Sequence, residues 1–408
     1  MTPNPLVRFF LDGLVHVLSV MNETALLWLP PVLGVILVRS WIYYVRMQFN
    51  LSRQYILLEI KLPKETFKSP VAMEMFLGGI NLTSREGNWY TKYIKGTSRP
   101  IFSLEIVSIE GSVRFFIRTE PDFRKLIETQ IYAQYPNLEI AEAADYATHV
   151  PYGQPGSDWE LFGMELAFTK ADPYPIKTYP LYGLEGNPKE EFKIDPITPL
   201  IEYLGSLGKG EQSWVQIIIR GAKTKHVSGG IFGMEKDWKE EGKELVKSMK
   251  EKAYEAKKEG GFTAPTKGET EAIAAIERSI TKPGFDAGIR ALYLAKKDSF
   301  DKMAISAMSN AFKQFGSADL NGFKPANVTA FDFPWQDFSG KRLAEKKAGI
   351  FNAYVARGYF HPPFKGNPMV MNTEELATIF HFPGQVVRTP TFERIESRKS
   401  EPPVNLPF

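Results

Sequence analysis

An apolar run near the N-terminus constrains this chain more than any other feature. From Ala25 to Val38 it reads Ala-Leu-Leu-Trp-Leu-Pro-Pro-Val-Leu-Gly-Val-Ile-Leu-Val; Arg39 and Ser40 interrupt it, and Trp41-Ile42-Tyr43-Tyr44-Val45 resumes it. Together these supply the roughly 20 residues that cross a bilayer's hydrocarbon core. A buried core helix rarely runs this far without a polar face, so a transmembrane helix is predicted over 24–46. Trp28 at one end and Trp41, Tyr43 and Tyr44 at the other match aromatic interface belts. Arg39 can snorkel to the near headgroups. Pro30 and Pro31 fall in the first half, where a membrane helix tolerates them. Arg39, Arg46 and Arg53 follow the run, so the positive-inside rule places the bulk of the chain in the cytoplasm, below a single span of the cell (inner) membrane. A cleaved signal fits poorly, since no basic region directly precedes the run and no small-residue cleavage site follows it. Arg8, Asp12 and His16 share one stripe of the preceding segment, 1–23. That segment reads as an amphipathic helix at the outer interface, with a second crossing as the alternative.

With 408 residues, the chain is long enough for two or three folding units. A net charge of +3 does not advertise a nucleic-acid binder. The absence of cysteine excludes disulfides, thiolate metal sites and cysteine nucleophiles. The five histidines lack metal-motif spacing. Three Gly-Lys pairs occur, but Gly210, Glu244 and Arg342 follow them where a P-loop needs Ser or Thr. There is no Gly-x-Ser-x-Gly elbow and no His-Glu-x-x-His. Asp332 and Asp337 belong to an aromatic loop, Phe-Asp-Phe-Pro-Trp-Gln-Asp-Phe, and not to an acid/base pair. The reading is a non-enzyme with no catalytic, cofactor-binding or metal-ligating residue.

Beyond the span the pattern turns globular. Tyr55–Leu62 reads as a strand, and Ser69-Pro70 opens a helix. Two strands, Ile101–Ile109 and Ser112–Thr119, are joined by Glu110-Gly111, a hairpin signal. That register pairs Ile106 with Phe115 and Leu104 with Ile117 on one face; Val107 meets Arg114 and Glu105 meets Phe116 on the other. A helix from about Pro121 to Tyr135 follows, with Phe123, Ile127 and Ile131 on one side, then a short strand, Leu138–Ala141. The order is β-α-β-β-α-β, the split βαβ arrangement. It returns as strand Trp159–Phe168, helix Asp195–Leu204, strands Trp214–Arg220 and Ala287–Ala295, helix Ser299–Phe315 and a closing strand at Val328–Phe331.

The fold class is therefore α+β: two tandem ferredoxin-like pseudo-repeats, 47–150 and 151–335, below the span. The second carries a helical insertion over 221–284. A C-terminal helical segment, 336–383, and an extended Pro-rich arm, 384–408, follow. The insertion holds a charged helix, about 234–258, whose apolar positions make a thin stripe. It reads as a solvated projection, or more sharply as a docking arm using Trp238 and Met249. Thr266 and Glu269 cap a second helix there. The terminal arm offers Phe392, Ile395, Leu406 and Phe408 as further docking groups. A nucleic-acid module is the rival class, because Arg114, Phe116 and Arg118 share one strand face and could stack bases or bind phosphate. That strand lacks the Lys/Arg-Gly-Phe signature, and Glu105 opposite offers the arginines an ion pair.

Several stretches carry a resemblance. They are Leu104–Ser108 through Ile127–Pro136, Ile276–Phe285 with Ile289-Arg290, and Met371–Ala377 with Phe380–Pro383 and Glu401–Pro407. These resemble the membrane-anchored N-terminal region of type IV secretion or conjugation-type proteins of small-genome candidate-phyla bacteria, over nearly the whole chain. In that family the region precedes or accompanies a HerA/FtsK-type motor ATPase. The resemblance implies a platform subunit of a DNA or protein translocation machine. Its expected partners are the lipid bilayer, a separately encoded P-loop ATPase or other secretion subunits, and further copies of itself. The chain is expected to stop where the ATPase would begin, so no nucleotide-binding residue carries over.

Overall fold

A computed structural model of the chain describes residues 5–63, 68–85, 88–185, 194–223, 225–227, 235–258 and 266–383. Its elements run α1 (Pro5–Glu23), α2 (Ala25–Leu51), β1 (Ile56–Lys61), α3 (Pro70–Gly79), α4 (Trp89–Tyr93), β2 (Phe102–Ile109), β3 (Ser112–Thr119), α5 (Arg124–Gln134), β4 (Glu139–Ala143), β5 (Trp159–Phe168), α6 (Thr198–Gly205), β6 (Glu211–Gly221), β7 (Lys225–Val227), β8 (Glu235–Asp237), α7 (Trp238–Lys258), α8 (Lys267–Thr281), β9 (Gly284–Lys296), α9 (Lys302–Asn310), β10 (Phe323–Ala326), α10 (Lys341–Val355), β11 (Met369–Asn372) and α11 (Thr373–Ile379). The chain divides into two compact units, 1–53 with 86–98 and 54–85 with 99–408. The cut does not fall between the two predicted halves.

The first unit is helical. Among the described residues α2 alone is long and apolar enough to cross a membrane; its most apolar 18-residue stretch has no buried residue, and Val45 near its C-terminal end is buried. At 27 residues it outruns the predicted span on its C-terminal side; at 1.5 Å per residue it is about 40 Å long against a hydrocarbon core of about 30 Å.

The second unit is built on one sheet of nine strands in the order β10-β5-β9-β6-β2-β3-β1-β4, with β11 also on β9. Every pairing is antiparallel. The two predicted halves are continuous through the β2–β6 pairing, which aligns Leu104 with Ile217 and Ile106 with Val215. The Glu110-Gly111 turn takes positive φ at both residues, as a two-residue hairpin demands. The β2–β3 register is the predicted one, Leu104 with Ile117 and Glu105 with Phe116.

Alternation splits the sheet into two buried faces. One, including Leu58, Ile106, Phe115, Ile217, Ile289 and Met164, forms the main core with apolar side chains of α3, α5, α6 and α11. The other carries Val107, Phe116, Trp214 and Leu292 under Ile350, Phe351 and Tyr354 of α10. With helices on both faces of this antiparallel sheet, β2 and β9 are buried along nearly their whole length, their polar residues included.

Four sequence expectations are corrected. The strand that pairs with β5 is Phe323–Ala326, not Val328–Phe331; Phe323 stacks on Phe168, and an edge position tolerates Pro325. The helix expected over 299–315 is shortened to α9 by 3₁₀ turns on either side, with Asp301 capping it. Segment 336–383 is not purely helical, because β11 joins the sheet beside the start of β9. The charged insertion helix does not project: α7 packs on α8, burying Val246 against Ile273 and Ile276.

Candidate functional site

The residues expected to anchor the chain in the membrane, Trp28, Arg39, Trp41, Tyr43, Tyr44 and Arg46, all lie on α2. Trp28 Nε1 donates to the Met21 carbonyl at 3.2 Å, and Trp41 Nε1 donates to the Tyr93 carbonyl at 3.0 Å. Trp41, Tyr43 and Tyr44 keep about half their surface exposed. The second bond shows what the sequence reading missed, since residues 88–98 return to α2. Asn88 and Thr91 form a capping box around α4. Gly96, at φ +65°, lies so close to α2 that a Cβ there would come within 2.4 Å of the Val45 carbonyl oxygen. Ser98 Oγ donates to Asn50 Oδ1 at 3.0 Å. The signal was present as Trp89-Tyr90-Thr91-Lys92-Tyr93-Ile94-Lys95, an aromatic and basic run too short to register as an element.

The strand face proposed for nucleic acid is covered at its centre, while Arg114 and Arg118 are half-buried. Phe116 is 3% exposed and packs against Tyr146, ring centroids 5.1 Å apart, so it cannot stack a base. Arg118 lies over the Tyr55 ring at 3.9 Å. Arg114 reaches Glu59 at 3.7 Å, a pairing within the sheet. Glu105 does not pair with either arginine. Its carboxylate takes Arg357 Nε at 3.0 Å and Nη2 at 3.2 Å, with Tyr146 Oη, Ser103 Oγ and Gln216 Nε2 as further donors. Burial pushes Glu105 up, but Arg357 and these hydrogen bonds override it and hold the carboxyl below its ordinary value. Burial, then the Arg357 charge, pulls Arg118 down. The network is a satisfied interior, not an open reactive centre.

The docking candidates on the insertion are also enclosed. Trp238 is 3% exposed, its indole against Gly284, where a Cβ would meet Trp238 Cζ2 at 2.8 Å. Met249 sits in the α7–α8 seam, its sulfur 3.9 Å from the Tyr174 hydroxyl. Neither forms an exposed docking surface. Phe392, Ile395, Leu406 and Phe408 lie outside the described residues.

Two of the stretches behind the family resemblance converge in space. Glu374, at the start of α11, accepts from Arg278 Nε at 2.7 Å and Lys282 Nζ at 2.5 Å; Lys282 also reaches Glu74 of α3 at 2.6 Å. Asn372 Nδ2 donates to Ser279 Oγ at 2.8 Å. Glu375 is buried and accepts from the Ile176 and Asn372 amides at 3.0 and 2.9 Å. Burial, helped by the Glu374 and Asp172 charges, pushes it up to about 8 against those two amides. The cluster closes the C-terminal end over the core, where Phe380 and Phe382 are fully buried. Asp337 of the aromatic loop accepts from the Leu343 amide at 2.7 Å and so caps the start of α10. Among the described residues no three acidic, His or Cys side chains group as a metal site.

Residues 47–394, the end of α2 and nearly all of the sheet unit, match a domain of unknown function, DUF8128. The chain belongs to the DUF8128 family. No curated protein matches it. The DUF8128 match takes in the 88–98 return, the Glu105–Arg357 network and the Glu374 cluster together.

Proposed function

We propose that this DUF8128 protein is a non-enzymatic platform of a type IV secretion-like DNA or protein translocation machine. It is held in the cell (inner) membrane by α2 as a single span, with the sheet unit in the cytoplasm and α1 along the outer interface. It docks a separately encoded motor ATPase and assembles with further copies of itself. The observation that carries the membrane part is α2, whose uncovered apolar side chains run into Arg39, Arg46 and Arg53. The adaptor part draws support from the sheet unit, where the conspicuous charged residues are spent on internal pairs.

We read the sheet as two fused ferredoxin-like units. The orders β4-β1-β3-β2 and β10-β5-β9-β6 are the same permutation of first, second, third and fourth strands. Helices follow the first and third strands of each set, α3 and α5 in one, α6 and α9 in the other.

The test uses the full chain in its native membrane. Carbonate washing should leave it in the pellet, a reporter after Phe408 should read as cytoplasmic, and crosslinking should capture a P-loop ATPase. Release by carbonate or export of the reporter would overturn the anchor. Retention through nuclease-sensitive material, with no protein neighbour, would favour the membrane-tethered nucleic-acid module instead.

A further inference from the structure

We propose that α4 and the lysines beside it form a foot that binds the anionic headgroup layer of the leaflet where α2 leaves the bilayer. This rests on α2 being a membrane span. The segment tracks α2 in register, with Tyr93 against Trp41, Gly96 against Val45 and Ser98 against Asn50. It therefore runs along roughly two and a half turns of helix and sets α4 level with the aromatic end of the apolar stretch. Gly96 is required there, because its backbone conformation and the closeness of Val45 both exclude a side chain.

At that level the unit presents large amphipathic side chains to the outside. Trp89 is 70% exposed, and Tyr90, Tyr93 and Ile94 are exposed with it, continuous with Trp41 of α2. Tryptophan and tyrosine favour the headgroup region, where the ring meets acyl chains and the polar tip stays wet. The charge is one-sided. Segments 25–53 and 88–98 contain Arg39, Arg46, Arg53, Lys92 and Lys95 and no acidic residue. Lys92 and Lys95 lie 5.0 and 5.7 Å from the Tyr93 and Tyr90 rings, so each cation is held beside an aromatic. An all-basic, aromatic surface continuous with a span complements anionic phospholipid. The capping box gives so short a helix a fixed shape without lipid.

The native chain has no cysteine, so single-cysteine probes report unambiguously. Full-length protein carrying a bimane label at Trp89→Cys or, separately, at Leu33→Cys is placed in nanodiscs of phosphatidylcholine with phosphatidylglycerol. The Leu33 probe should be quenched by lipid spin-labelled deep in the acyl chain, and the Trp89 probe by headgroup-labelled lipid. Quenching at Leu33 without quenching at Trp89 would overturn the foot and leave the span standing; loss of both would overturn the span itself. Phosphatidylglycerol should be enriched around the unlabelled protein. Lys92→Gln with Lys95→Gln should cut that enrichment by about fivefold per base removed, with the Leu33 quenching unchanged. Equal enrichment in both proteins would overturn the anionic-lipid assignment. Shielding of Trp89 only when a membrane protein partner is added would show a protein contact in its place.

Discussion

Arg357 reaches Glu105 across 252 positions of sequence and pairs with it at 3.0 Å, both side chains shut away from solvent. Asp145 shares the guanidinium, accepting from Nη2 at 2.8 Å. The bond ties the segment after α10 to the middle of β2, and it fixes which helix covers the second face of the sheet. Tyr146 and Tyr354, whose hydroxyls touch at 2.7 Å, close the network. Burial, then the Glu105 charge, drives both phenols well above their ordinary value, so they remain neutral donors.

Arg357→Met leaves Glu105 buried without its cation. The expected loss of stability is about 3–5 kcal/mol, read by denaturant unfolding of the full chain in detergent. Adding Glu105→Leu should recover much of it, since a well-packed apolar pair often replaces a buried ion pair at little cost. If the double variant is no more stable than Arg357→Met, the loss comes from packing and not from the unpaired charge.

What was legible in the sequence was local. Glu110-Gly111 between alternating runs fixed the β2–β3 register, because a two-residue turn leaves no freedom and a slip would turn Leu104 and Ile106 away from the core. The apolar run of α2 was equally plain. Phe323-Lys-Pro-Ala was missed as a strand because it is short and contains proline, and Met369-Val-Met-Asn because a strand buried along its length shows no alternation. Trp238 looked like an exposed stripe because the surface it covers, Gly284, lies 46 positions downstream. Arg114 and Arg118 were nearer candidates for Glu105 than a residue from the far end of the chain. Nothing in spacing alone indicates that Tyr55 takes Arg118.

Replacing Arg114 and Arg118 together by alanine should leave any affinity for DNA or RNA and its salt dependence unchanged, because Glu59 and Tyr55 already engage these groups. If the two arginines bind phosphates instead, the logarithmic salt slope should shrink by about one for each phosphate that the variant no longer neutralises. Fluorescence anisotropy over a salt series reads both quantities.

Trp238→Ala should destabilise the sheet unit by about 3–5 kcal/mol, because the indole fills the space over Gly284. Capture of the proposed ATPase should be unaffected once the protein is folded. A stable variant that no longer captures the ATPase would return Trp238 to the docking surface.

Deleting 384–408 should leave thermal unfolding nearly unchanged, since Phe380, His381 and Phe382 already seal the end of the core and His381 Nε2 lies 2.9 Å from Asp195 Oδ1. Pro390, Pro402, Pro403 and Pro407 oppose a regular helix, and Phe392, Ile395, Val404, Leu406 and Phe408 are too few and too widely spaced in sequence to build a core. Binding of the ATPase should weaken. Undiminished binding would remove the arm from the docking surface, and a large drop in melting temperature would make it part of the fold.

Glu375 gives the sheet unit a pH dependence of definite sign. Burial raises its carboxyl from 4.5 to about 8, so the native state binds this proton more tightly than the unfolded chain does. Stability from this residue is then fully present below about 4.5, falls as pH climbs through the interval, and levels off above about 8. The total change is on the order of a few kcal/mol. Glu375→Gln keeps one acceptor oxygen for the Ile176 or Asn372 amide and cannot ionise. The difference in unfolding free energy between variant and native protein should therefore move in the variant's favour from pH 5 to pH 8. A difference that stays constant across that range would mean that the two amides hold Glu375 ionised throughout, as a helix-capping carboxylate at the start of α11.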